Sequence, residues 1–199
     1  MDFSILDGTG KGYRQKVDSS GRAQVDSVTR TQSQAAILSG DGYNLATGAI
    51  NLTNANESAL FYLKNNEEFP LVIKEIIFIV GASIGGTTTA TATIKRNATD
   101  GTIVDNAIAI DSESNRNFSS AKLLTADIYK GAQGYTTTGG TTFAASSRSN
   151  FSGTINFDAD IIVLEKGNSI ACSFTPATSN TSQDVNIAIT CFLDKGFDG

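Results

Sequence analysis

Between residues 87 and 95 the chain reads TTTATATIK, and this alternation limits the fold more than any other feature. Ala90, Ala92 and Ile94 fall on one side of an extended chain, Thr89, Thr91, Thr93 and Lys95 on the other. A period of two marks a strand with one face buried and one wet. The period recurs towards the C-terminus. In TINFDADIIVLEK (154–166) it places Ile155, Phe157, Ala159, Ile161 and Val163 inward and Asn156, Asp158 and Asp160 outward. In SIACSFTP (169–176) it gathers Ile170, Cys172 and Phe174 on one face. In DVNIAITCFLDK (184–195) it gathers Val185, Ile187, Ile189, Cys191 and Leu193.

Further strands are expected in TGAINLT (47–53), ESALFYLK (57–64), PLVIKEIIFIVG (70–81) and GTIVDNAIAID (101–111), the last bent near Asp105 and Asn106. The turn-rich SGDGYN (39–44) precedes them. SSAKLLTADIYK (119–130) reads as either a strand or a short helix, and the Gly/Ser/Thr-rich residues 131–150 read as a long loop. Long loops in compact domains usually make contacts or carry function. Strands at such short spacing, about eight of them, predict an all-β, antiparallel, jelly-roll-like sandwich. An immunoglobulin-type sandwich is disfavoured, because its core Trp has no counterpart in a chain without tryptophan.

Residues 71–80 carry a second message. One face would hold Leu71, Ile73, Ile77 and Ile79, the other Val72, Ile76, Phe78 and Val80. An antiparallel sandwich normally leaves one face wet. Two readings stand: a central strand covered by a loop or the N-terminal segment, or a face buried against another subunit. On the second, Val72, Ile76, Phe78 and Val80 are assembly contacts.

Residues 1–36 differ in character. After Phe3, Ile5 and Leu6 the segment is polar and carries Lys11, Arg14, Lys16, Arg22 and Arg30, while Val17, Val25 and Val28 are too sparse for a core face. This predicts an extended N-terminal arm (1–36) ahead of a β-domain (37–199). Such an arm gains order by lying on a neighbouring subunit or another protein, with Tyr13, Arg14, Val17, Arg22 and Val25 as candidate contacts.

Composition excludes much chemistry. The chain has no histidine, so no Ser-His-Asp or Cys-His nucleophile system, no His-ligated metal and no histidine pH switch can be built from it. Its net charge of −5 lacks the basic footprint of a nucleic-acid binder. No apolar run is long enough for a membrane helix, and the N-terminus lacks a secretory pattern. Assembly in a cytoplasm is therefore expected, with the six N-x-S/T sequons read as by-products of an Asn/Ser/Thr-rich surface. Cys172 and Cys191 are read as free core thiols. Asp158 and Asp160 read as surface carboxylates rather than a glycosidase pair. SGDGYN lacks EF-hand spacing, and GASIGG (81–86) lacks the ending of a phosphate loop. No catalytic residue, metal or cofactor is expected. Tyr135, Phe143 and Phe151, in or beside the long loop, are candidate recognition residues.

Three segments carry a family resemblance: KVDSSGRAQVDSVTRTQSQAA (16–36), GDGYNLATGAINLT (40–53) and ESALFYLKNNEEFPLVIKEIIF (57–78). Over about residues 12–80 the chain resembles a group of virion structural proteins of tailed bacteriophages, in which a "VDS.GR" arm leads into "G..YN..TG.I.LT", "ALFYLKN" and "PLVI..I". The remainder is similar only in style, with Thr-rich strands. The resemblance implies a non-enzymatic coat component in the virion, with a jelly roll that is often trimeric, attached to capsid or tail. A capsid decoration (cement) protein contacting the major capsid protein or other virion proteins is the leading expectation. A tail, neck or fibre component, or a carbohydrate- or receptor-binding jelly roll, is the alternative.

Overall fold

A computed structural model of the chain describes residues 5–6, 12–13, 31–149 and 152–195; the side chains of 5, 6, 12, 13 and 158–161 lie outside that description. The chain divides into two compact units, Met1–Thr31 and Gln32–Gly199. In the first, β1 (Ile5–Leu6) pairs antiparallel with β2 (Gly12–Tyr13), Ile5 opposite Tyr13. Arg14, Val17, Arg22 and Val25 fall outside the described residues, and Tyr13 is described by its backbone alone.

The second unit opens with α1 (Gln32–Leu38), followed by β3 (Gly42–Ala46), β4 (Ile50–Leu52), β5 (Ser58–Asn65), β6 (Leu71–Val80), β7 (Thr89–Arg96), α2 (Thr102–Asn106) and β8 (Ser112–Asn115). Then come β9 (Ala126–Lys130), β10 (Thr141–Ser149), β11 (Gly153–Leu164), β12 (Ser169–Thr175) and β13 (Gln183–Leu193). Residues 32–36, assigned to the arm from sequence, thus begin α1, which packs on β3 and β13. The segment read as turn-rich at 39–44 supplies β3.

Two antiparallel sheets form the sandwich. One runs β11-β6-β13-β3-β8, with β4 also on β13; the other runs β10-β7-β12-β5-β9. β3 and β4 are one strand interrupted at Thr47. The Thr47 amide donates to the Ile187 carbonyl (3.0 Å), and the Ile187 amide donates to the Thr47 hydroxyl (3.0 Å), so a side chain carries the ladder across the break. Counting β3–β4 as the first of eight strands, with β5, β6, β7, β10, β11, β12 and β13 following, the sheets read sixth-third-eighth-first and fifth-fourth-seventh-second. Two interlocked Greek keys of this order are a jelly roll.

The alternation in β7 and β13 is realised: Ala90, Ala92 and Ile94, and Val185, Ile187, Ile189, Cys191 and Leu193, all lie in the core. So do Ile170, Cys172 and Phe174 of β12. Cys172 and Cys191 sit in different sheets and are free thiols; burial raises both, Cys191 to about 12.

Two further segments differ from expectation, and a third, read as strand or helix, resolves to a short strand. Residues 102–106 form α2, not a strand. Gly101 enters it at φ 118 and Ala107 ends it in the left-handed region at φ 46, and five residues are too few to show a helical period. Residues 141–149 form β10 where a loop was expected, because a strand exposed on most of its length carries no apolar alternation to read. In 119–130 only β9 is regular.

The insert between β7 and β10 supplies α2, β8 and β9. β8 pairs with β3 and β9 with β5, so the insert extends both sheets on one side of the sandwich. α2 covers the outer face of the five-stranded sheet, where Ile103 packs with Ala59, Tyr62, Ala98 and Ala171 in a second small core. Tyr62 also stacks on Tyr129, centroids 5.9 Å apart.

The junction of α1, β3 and the end of β13 is held by one buried carboxylate. Asp41 is 2% exposed. It accepts from Lys195 Nζ (2.9 Å), Lys122 Nζ (3.3 Å) and the Ser39 hydroxyl (2.8 Å). Burial alone would raise its pKa, but these three donors outweigh burial and hold it below the ordinary value. A depressed folded pKa contributes stability above the unfolded value, near 3.9, and loses it as pH falls through the folded value. Asp41→Asn should cost about 1–3 kcal/mol at neutral pH. Thermal melts from pH 7 to pH 2 should show the gap between wild type and variant closing only at the acid end.

Candidate functional site

The faces of β6 are set by a bulge. Glu75 pairs with Thr190 but Ile73 pairs with Cys191, so Lys74 is the extra residue of a bulge on β6. On the other side β11 shifts register between Asp158 and Ile162. One extra residue exchanges the two faces of a strand. Leu71 and Ile73 point inward before the bulge, Ile76, Phe78 and Val80 after it. The assembly face read from strict alternation is therefore corrected. Ile76, Phe78 and Val80 are core residues, 0%, 0% and 3% exposed, and Phe78 packs edge-on to Phe157. Val72 stays outside the core, half-buried. The outward residues after the bulge are Ile77 and Ile79, Ile79 being 45% exposed. The adjacent charges Lys74 and Glu75 are the signal in the sequence, since no straight strand could keep both out of the core.

The same shift acts on β11. Ile155 and Phe157 face the core as expected, but Ile162 and Leu164 take over after the irregularity, and Val163 is exposed. The side chains of Ala159 and Ile161 lie outside the described residues.

On the side of the sandwich away from the insert, β10 and β11 end their sheets with no further strand beside them among the described residues. A cleft of about 250 Å³ opens there, lined by Phe143, Val163, Leu164, Arg96 and Asn168 among others. Phe143 is the extra residue of a bulge between Thr142 and Ala144 of β10, and it is 48% exposed.

Tyr135 belongs to a different place. A cavity of about 180 Å³ lies on the outer side of the five-stranded sheet, lined by Glu57, Ala59, Lys95, Tyr135, Thr136 and Thr137. The sequence pointed to Tyr135 and Phe143 together, but they line separate cavities, and Phe151 lies outside the described residues. Glu57 Oε1 accepts from the Ser173 hydroxyl (2.6 Å) and from Lys95 Nζ (3.0 Å). The Ser173 bond, and after it Lys95, hold the Glu57 carboxyl below its ordinary pKa against the opposing effect of burial. Nothing local in the sequence joins Glu57, Lys95 and Thr137; only the sheet brings them together.

The loop that carries Tyr135 is pinned. The Ala59 amide donates to the Tyr135 carbonyl (2.7 Å), the Gly134 amide to the Ser58 hydroxyl (2.9 Å) and the Thr136 amide to the Thr102 hydroxyl (2.7 Å). Gly131 passes so close to β5 that a Cβ would fall on the Ala59 carbonyl oxygen.

Among the described residues no three Cys, Asp or Glu side chains converge as a metal site, and no helix is long and apolar enough to cross a membrane. The Asp41 carboxylate in the SGDGYN turn is occupied by ammonium and hydroxyl donors.

No family model and no curated protein matches the chain. Solved structures that align with it include one of infectious bursal disease virus Gx strain (13% identity, TM-score 0.33, covering 78% of this chain and 33% of that one). Tomato aspermy virus aligns at 8% identity and TM-score 0.32, over 88% of this chain and 85% of the other. A mitogen from Yersinia pseudotuberculosis aligns at 8% identity and TM-score 0.26, over 78% and 89%. The chain spans about a third of the length of the first of these. At such TM-scores the alignments carry no argument, and the jelly roll rests on the strand order itself.

The corrected faces of β6 make opposite expectations for neighbouring residues. Phe78→Ala should cost about 3–5 kcal/mol, and Phe78→Asp should leave no cooperative thermal transition. Ile79→Asp should cost about 1 kcal/mol at most. Circular dichroism melts of the variants check this; equal losses at both positions would contradict the bulged register.

Proposed function

We propose that this chain is a non-enzymatic virion structural protein, a capsid decoration (cement) protein that acts as a homotrimer. In this reading the β-domain associates with copies of itself, and the N-terminal segment bridges capsomers by contacting the major capsid protein. The observation that carries the proposal is the asymmetry of the jelly roll. The chain's own insert extends the sheets at β3 and β5, whereas among the described residues the β10 and β11 edges have no further strand beside them and Ile79 is 45% exposed. Unpaired edges are templates for pairing with another chain. The resemblance of residues 12–80 to tailed-phage virion proteins supports the same reading.

The mechanism is mass action. A protein that binds assembled capsomers but not free ones shifts the equilibrium toward the shell by its binding free energy. It needs neither catalytic groups nor a cofactor, and the acidic balance of the chain suits protein contacts rather than packaged nucleic acid.

Quantitative mass spectrometry of purified virions tests the position. Hundreds of copies per particle are expected; a dozen or fewer would move the protein to the neck, tail or fibre, and its absence would remove the virion reading. Deleting residues 1–31 should leave the melting midpoint within about 2 °C of wild type, the shift expected from under 1 kcal/mol, while abolishing attachment to the particle. A collapsed melt would make the segment part of the folding unit. Ile79→Asp should lower the trimer fraction in analytical ultracentrifugation without unfolding the protomer.

A further inference from the structure

We infer that the cavity formed by Glu57, Lys95, Tyr135 and Thr137 is a binding site for one neutral sugar ring, recognised through a vicinal pair of hydroxyls. The chemistry of the lining selects this class. Glu57 and Lys95 already form an ion pair at 3.0 Å, so their charges cancel and the cavity attracts no net charge. The Ser173 and Lys95 bonds both use Glu57 Oε1, so the second carboxylate oxygen of Glu57 and the remaining N–H groups of Lys95 are the acceptor and donors that this ion pair can offer to a ligand. A diol fits this arrangement, one hydroxyl donating to the carboxylate and its neighbour accepting from the ammonium.

Two further observations point to a ligand. Thr137 lines the cavity, and its hydroxyl oxygen is buried without a hydrogen-bond partner. Buried polar groups are nearly always satisfied, and one that is not calls for an explanation. A rotation about χ1 would turn this oxygen toward the cavity, where a third sugar hydroxyl would satisfy it. Tyr135 is half-buried at the cavity wall beside Ala59, and its ring offers an apolar surface to the C–H face of a pyranose. The volume of about 180 Å³ equals about six waters at ~30 Å³ each, the size of one ring rather than an oligosaccharide. The site is preformed, because the Tyr135 and Thr136 backbones are tied to Ala59 and Thr102, so little ordering entropy is lost on binding.

Saturation-transfer difference NMR on the full chain tests the inference. The probes are the methyl glycosides of glucose, galactose, mannose and N-acetylglucosamine, each at about 10 mM, ten times the Kd of a millimolar site. Saturation should pass to the ring protons of at least one glycoside. Glu57→Gln and Tyr135→Ala should each weaken its binding about tenfold, the size of one lost charge-assisted or stacking contact. Thr137→Val, which removes only the hydroxyl, should weaken it several-fold with an unchanged melting midpoint. Absence of transfer from all four glycosides overturns the inference, as does binding that survives both Glu57→Gln and Thr137→Val unchanged. If Glu57→Gln perturbs the fold, Thr137→Val alone decides.

Discussion

β6 lies between β13 and β11, so its register is fixed from both sides, and most of the sandwich is referred to it. The bulge at Lys74 lets a strand with two adjacent charges keep an unbroken apolar face: Leu71 and Ile73, then Ile76, Phe78 and Val80. Without the extra residue, Ile76, Phe78 and Val80 would face out and Glu75 would enter the core with no cation to meet it. Burying a lone carboxylate costs far more than the apolar contacts of one turn of strand return. The neighbouring irregularity in β11 follows from this, since a strand paired to a bulged one must break its own register to keep Ile155 and Ile162 on the same side.

A second dependence runs through the insert between β7 and β10. A jelly roll leaves four sheet edges, and an exposed edge is a hazard to a free protein. Here β8 and β9 lengthen the sheets at β3 and β5, and α2 lays Ile103 over the outer face of β5 and β12. β12 is consequently buried on both faces although it belongs to an antiparallel sheet. The same insert ends in the loop that holds Tyr135 above Glu57 and Lys95. The segment that completes the fold therefore also builds the cavity, and the hydrogen bonds that pin the one position the other.

The sequence was legible where a strand has one buried and one wet face. β7, β12 and β13 follow their alternation residue by residue, and with them the sandwich could be read. Legibility failed where that contrast is missing. β10 is wet along most of its length, so TTFAASSRS looks like a loop. α2 is a single turn rich in β-branched residues, which locally resembles a strand. β6 kept its identity as a strand but lost its parity at Lys74–Glu75, which sent Ile76, Phe78 and Val80 to the wrong face. Of the cavity only Tyr135 stands out in the sequence, as an aromatic in a polar loop. Glu57 and Lys95 lie 38 residues apart and meet only across β12.

The composition of the β10 edge bears on what the chain is for. Natural edge strands are guarded by charges, prolines or covering segments. Along β10 the one charged side chain is Arg148, there is no proline, and its outer residues Ser147 and Ser149 continue the hydroxyl rows of Thr91 and Thr89 on β7. Thr91 and Ser147 are already hydrogen-bonded across the pair at 2.8 Å. A protein selected to remain alone in solution would be expected to place lysines there, as β7 does with Lys95 one strand away. Hydroxyl rows instead leave a flat, weakly charged surface that another strand can approach without desolvating an ion. That trade suits a protomer whose edges are covered in its working state, as the proposed virion role requires.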